Sequence, residues 1–144
     1  MLIHVLGAIG GAAFTLSWVW LAKRYGIESW SYAGGMLLLP LFYVGFALLA
    51  PENQGHLVGQ ELLHGLPFFI GGAVLLIWRT PASLYAVAAF WLAHAFYDFG
   101  HDLFFVNPGV WEIYPAFCAA VDGVLGVYLL YLATTKKAEA KAPA

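Results

Sequence analysis

Apolar residues in this chain fall into five long runs, each closed by charged or turn-forming residues. The first covers about 2 to 22 and stops at Lys23 and Arg24. The second covers about 30 to 49 and stops at Ala50-Pro51-Glu52-Asn53. The third covers about 57 to 78 and stops at Arg79-Thr80-Pro81. The fourth covers about 82 to 105 and ends before Asn107-Pro108-Gly109, a turn signal. The fifth covers about 111 to 134. Crossing a bilayer takes roughly 20 apolar residues in a helix. The pattern therefore predicts an all-α integral membrane bundle of five transmembrane helices, or of four if the first run is interfacial. There is no internal repeat and no heptad. Residues 1–135 read as one transmembrane helical domain. Residues 136–144, rich in Lys and Ala with no apolar face, read as a disordered cytoplasmic tail.

Composition agrees with this reading. Of 144 residues, 62% are hydrophobic and 10% charged, where a soluble domain carries about 25% charged residues. A net charge of −2 argues against nucleic acid as a partner. The single Cys118 rules out an intrachain disulfide and a Cys-rich metal site. No basic stretch precedes the first run, so it is expected to be a retained span rather than a cleaved signal peptide. Membrane lipid is the expected surrounding partner, and a homo-oligomer is compatible with the sequence.

The basic residues give the orientation. With five spans, Lys23, Arg24, Arg79, Lys136, Lys137 and Lys141 all fall on one side. The positive-inside rule makes that side cytoplasmic, with the N-terminus outside and the C-terminus inside. Trp18, Trp20, Trp30 and Trp78 then mark the inner belt, and Trp111 the outer one.

Within that topology the five histidines and the four membrane-embedded acids are one-sided. His4, His56, Glu61, His64, His94, Asp98, His101, Asp102 and Asp122 all fall in or near the outer half. At a rise of ~1.5 Å per residue, Glu61 and His101 lie about 6 Å deep, His64 and Asp98 about 11 Å, and His94 and Asp122 about 16 Å. On a continuous helix His94, Asp98 and His101 share about 60° of arc, and Asp102 lies beside that stripe. Glu61 and His64, three apart, share a face. An ionisable group at the bilayer centre costs roughly 2.5–3.5 kcal/mol. A cluster of them in one leaflet therefore points to a function.

Two carboxylate-x-x-His pairs stand out, Glu61-Leu62-Leu63-His64 and Asp98-Phe99-Gly100-His101. Paired Glu-x-x-His motifs on facing helices hold two metals in carboxylate-bridged bundles. The expected ligands are His64, His94, Asp98 and His101, with Glu61 or Asp122 completing the set. Nitrogen and oxygen donors without thiolate suit a divalent Zn, Fe or Mn ion. If the chain is an enzyme, a metal-bound water is the nucleophile and Glu61 or Asp122 the proton acceptor. The substrate is then lipid-like or amphipathic; with iron, redox chemistry on a lipid or quinone is the counterpart. Competing readings are a proton or cation transporter or channel component, haem held by His64 and His94, a polar network that only ties helices together, and a non-catalytic accessory subunit. Gly7-x-x-x-Gly11, Gly34-Gly35 and Gly71-Gly72 are expected at close helix contacts. Pro40 and Pro67 are expected to kink their helices.

His94-Ala-Phe-Tyr97-Asp98-Phe-Gly-His101-Asp102, then Asn107-Pro108, then Cys118-Ala-Ala-Val-Asp122, resembles a family of small bacterial multi-pass membrane proteins with no assigned reaction. The similarity covers about a third of the chain. It implies residues of interest and a place in the bacterial inner (plasma) membrane, and no chemistry. A looser analogy is to membrane ceramidase-like zinc hydrolases, whose His-x-x-x-His pair is missing here.

Overall fold

The computed structural model describes residues 1–78, 80 and 82–139. It is built of α1 (Leu2–Tyr25), α2 (Glu28–Leu49), α3 (Gln54–Ile77), α4 (Ser83–Phe99), α5 (His101–Phe104) and α6 (Tyr114–Glu139), with no strand among the described residues. α1, α2, α3 and α6 are each long and apolar enough to cross a membrane. Their outward faces are apolar too: Ile9, Leu16, Leu38, Leu49, Leu63 and Val127 are exposed. A bundle that is apolar on its outside is matched to lipid rather than to water.

The expected fourth span is not one continuous helix. α4 has 17 residues, about 26 Å at ~1.5 Å per residue, short of the ~30 Å hydrocarbon layer. It ends at Gly100 (φ −105°, ψ 13°), whose N–H caps Phe96 and Tyr97 carbonyls, and α5 continues for four residues. Glycine is a poor helix former, and the break falls at the only glycine of that run. The last helix starts at Tyr114 rather than 111 and continues to Glu139, through the first residues of the expected tail. Residues 140–144 of that tail, and Arg79 of the third loop, lie outside the described residues.

Local chemistry sets the other ends. Gly26 takes a left-handed φ of 67° after α1. Its N–H reaches Lys23 O and that of Ile27 reaches Ala22 O, the double bond of a Schellman cap. Lys23 and Arg24 sit in the last turn, where the helix dipole favours cations. α2 stops at extended Ala50 before Pro51, as a residue preceding proline tends to.

α2 packs along α3, while α6 lies against both α4 and α1; α3 and α4 meet more narrowly. Small residues make these approaches possible. A β-carbon on Gly7 would sit 2.7 Å from Ile113 O, and one on Gly11 would strike Phe117 O. One turn on, Thr15 Oγ1 donates to Val121 O at 3.2 Å or to its own Gly11 O at 3.0 Å. On Gly72 a β-carbon would come within 3.0 Å of Ala33 O. Gly34 is the exception, its nearest neighbour standing 4.0 Å away. Pro40 and Pro67 lie inside continuous α2 and α3, and Gly65 makes room for the Pro40 ring.

Towards one end the core is aromatic and aliphatic: Trp91, Tyr32, Met36, Leu125 and Leu129 are buried together. Trp91 Nε1 donates to Tyr32 O at 3.1 Å, and Trp18 meets both rings edge-on. Beyond them the Glu28 carboxylate accepts Tyr128 OH at 2.6 Å and Tyr32 OH at 3.3 Å. Towards the other end, along the same face of α4, the interior becomes polar.

A buried His/Asp group and its aromatic frame

α4 buries Val87, Ala88, Trp91, His94 and Asp98, one helical face. His94 and Asp98, four apart, therefore look inward together, and α6 sets Asp122 opposite them. All three are at most 1% exposed. His94 Nδ1 is 2.7 Å from Asp122 Oδ2 and 3.3 Å from Asp98 Oδ2. A single Nδ1–H donates to one carboxylate at a time, and the shorter contact takes it. The second oxygens are left over: Asp98 Oδ2 and Asp122 Oδ1 are buried without a hydrogen-bond partner. The other Asp98 oxygen, Oδ1, accepts Tyr43 OH at 2.7 Å.

One ligand atom from each of His94, Asp98 and Asp122 lies within 4.8 Å of the other two, so this group could hold a metal ion. In a tetrahedral site with bonds of about 2.0–2.1 Å, neighbouring ligand atoms stand roughly 3.3 Å apart. The contacts of 2.7 and 3.3 Å are already close to that spacing.

A second group lies beside the first. Glu61 of α3 and His101 of α5 are 2% and 1% exposed. His101 Nε2 is 3.3 Å from Glu61 Oε1, and Asn107 Nδ2 donates to the same oxygen at 2.7 Å. Asn107 Oδ1 accepts the Gly109 N–H at 3.0 Å, which fixes the amide orientation. The loop is held to α2 at Gly109, where any β-carbon would collide with Phe46 O. Tyr43 joins the two groups: its hydroxyl is on Asp98, and its ring stacks on His101 at 4.8 Å with 13° between planes. Phe68 closes the His94 side edge-on at 4.6 Å.

Of the residues singled out by sequence, the structure gathers His94, Asp98 and Asp122 in one group and Glu61 with His101 in another. His64 stands apart: half-buried, its Nδ1 lies 2.9 Å from Gln60 O of its own helix. Its ring packs on Tyr97, Phe104 and Phe105. The Asp102 side chain is 80% exposed, 3.5 Å from His101 Nδ1. His4 and His56 are exposed. Tyr43 and Asn107 also belong to these groups, although the sequence marks Asn107 only as part of a turn. For Asn107 the usable signal is the following Pro-Gly: an Asn that bonds its own turn through the carbonyl keeps its amide free to donate.

The chain matches no protein-family model, no curated protein and no solved structure at a significant level.

Proposed function

We propose that this is a five-span membrane protein with a divalent metal site formed by His94, Asp98 and Asp122. In this reading the broken α4–α5 segment is a further span. The N-terminus lies outside, the C-terminus is cytoplasmic, and the site sits in the outer half of the bilayer. The observation that carries it is the pair of buried carboxylate oxygens, Asp98 Oδ2 and Asp122 Oδ1, that are left without a hydrogen-bond partner next to the His94 imidazole. Buried carboxylates are ordinarily paired or bound to a metal. A divalent ion would be balanced by the two carboxylates, and an N/O donor set suits Zn, Fe or Mn. Such an ion supplies Lewis acidity. Glu61, held by Asn107 and His101 next to that group, is then the residue placed to take and return a proton.

The test is elemental analysis of protein purified in mild detergent without chelator, beside His94→Ala and Asp122→Asn. Stoichiometric metal in the wild type and background levels in both folded variants is expected. Full occupancy in the variants would remove these residues from the ligand set.

A second reading, proton exchange, is favoured by the short Tyr43–Asp98 and His94–Asp122 hydrogen bonds, both 2.7 Å. It predicts proton flux in liposomes that is lost in Asp98→Asn. Weighing against it is the apolar plug of Trp91, Met36, Leu125 and Leu129 beyond the site, which offers no onward polar path.

A further inference from the structure

Asp98 has two unlike oxygens. Oδ1 accepts the Tyr43 hydroxyl at 2.7 Å, and Oδ2, 3.3 Å from His94 Nδ1, has no hydrogen-bond partner. Tyr43 reaches the group from α2, whereas His94 and Asp98 come from α4 and Asp122 from α6. It is 2% exposed, so no water competes freely for its proton. Its ring is fixed separately from its hydroxyl. It stacks on His101 at 4.8 Å with 13° between planes and meets Tyr97 and Tyr114 edge-on at 6.3 and 5.6 Å. Packing on three sides therefore aims the donor at one chosen oxygen of a carboxylate in the His/Asp group. A core that only needed to fill space would be served by the ring alone.

We propose, on the footing of the metal site above, that Tyr43 sets which ion that site prefers: by holding Asp98 Oδ1 it makes Asp98 a one-oxygen ligand and favours Zn²⁺ over Mn²⁺. A carboxylate can bind a cation through one oxygen or chelate it through both, and hard cations that want six or more oxygens gain from chelation. Mn²⁺ belongs with the ions of octahedral oxygen sites, whereas zinc is content with four ligands. His94, Asp98 and Asp122 offer one ligand atom each. Three protein ligands and one open position is the arrangement of a catalytic zinc site. Without the Tyr43 hydroxyl, Oδ1 is released and Asp98 is free to chelate. Tyr43 is thus a positioning residue, touching a ligand and not the ion. Partners of this kind commonly change metal affinity 10–100-fold.

The experiment measures Kd for Zn²⁺ and for Mn²⁺ on the full chain in mild detergent, by competition with a chromophoric chelator, in wild type, Tyr43→Phe and His94→Ala. Phenylalanine keeps the ring that stacks on His101 and removes only the hydroxyl. In Tyr43→Phe, Zn²⁺ affinity is expected to fall about tenfold or more and Mn²⁺ affinity to fall less or to rise, so that the preference between them narrows. An unchanged ratio, whether both affinities hold or fall together, would mean that Tyr43 acts through packing alone, and the proposal would be lost. A second readout needs no variant: Co²⁺ bound to the wild type should show the intense visible bands of a four-coordinate ion, and the weak spectrum of a six-coordinate one would equally overturn it. The two ideas fail differently. Zn²⁺ bound no more tightly by wild type than by His94→Ala sinks the metal site and the role of Tyr43 with it, whereas a tight site whose preference survives in Tyr43→Phe sinks the role of Tyr43 alone.

Discussion

One turn of α4 separates two very different interiors. At Trp91 the helix enters a packed apolar core, and the one polar atom of that side chain is bonded to Tyr32 O at 3.1 Å. At His94 it enters a region of two imidazoles and three carboxylates, all at most 2% exposed, with two oxygens left unpartnered. Both residues sit on the same buried face, so neither helix amphipathicity nor burial distinguishes them. The difference is satisfaction. Around Trp91 the indole N–H is bonded and the orphan next to Tyr32 is a neutral hydroxyl, Ser31 Oγ, whereas the His94 region carries the cost of unpaired buried acids that a stability-only interior would shed.

That contrast can be broken by substitution. Trp91→Ala should cost the most, about 3–5 kcal/mol by the scale for emptying an aromatic site, read as a lower thermal unfolding midpoint in detergent. Gly11→Ala should follow, at about 1–3 kcal/mol for overpacking, because its new methyl meets the Phe117 carbonyl; a neutral result would mean that α1 does not press on α6. Asn107→Ala should also cost about 1–3 kcal/mol by stripping a buried carboxylate of its donor, and Asn107→Asp, which cannot donate when ionised, should not rescue it.

Asp98→Asn sharpens the comparison further. It keeps the acceptor for Tyr43 OH and removes one buried negative charge. Metal-free protein should become more stable by about 1 kcal/mol, while metal-loaded protein should become less stable than wild type. A loss in both states would place the region with ordinary structural networks. The smallest effect belongs to His64→Ala, within ~0.5 kcal/mol of wild type, since its nitrogen contact is to its own helix.

Much of this was legible in the sequence, and what was not has a physical cause. The four long apolar helices follow from run length. The close approach at Gly7 and Gly11 follows from their spacing, which puts both on one face. Every ionisable member of the two buried groups could be singled out, because a charge in an apolar run is conspicuous. Their partition could not. The expected stripe of His94, Asp98 and His101 assumes one continuous helix. The break at Gly100 leaves His101 in α5, beside Glu61 rather than with the other two. Glu61 and His64 likewise share a helical face by spacing, yet the flanking contacts bury one at 2% and leave the other half-exposed. Tyr43 joins Asp98 across 55 residues of chain, and nothing local to α2 announces it.

The position of Asp122 has a further consequence for how the protein is made. Its partner His94 lies 28 residues earlier, and α6, which carries Asp122, is also the helix on which Gly7 and Gly11 of α1 rest. The helix carrying Asp122 is synthesised last, so α1 and α4 both wait for it. Until it arrives, the glycine face of α1 is bare and His94 has Asp98 as its sole carboxylate neighbour of the pair. A ribosome stalled before α6 would thus leave a chain with polar groups open to lipid, a state recognisable to membrane proteases. Truncation at 113 should shorten the protein's lifetime in the cell far more than the loss of residues 140–144.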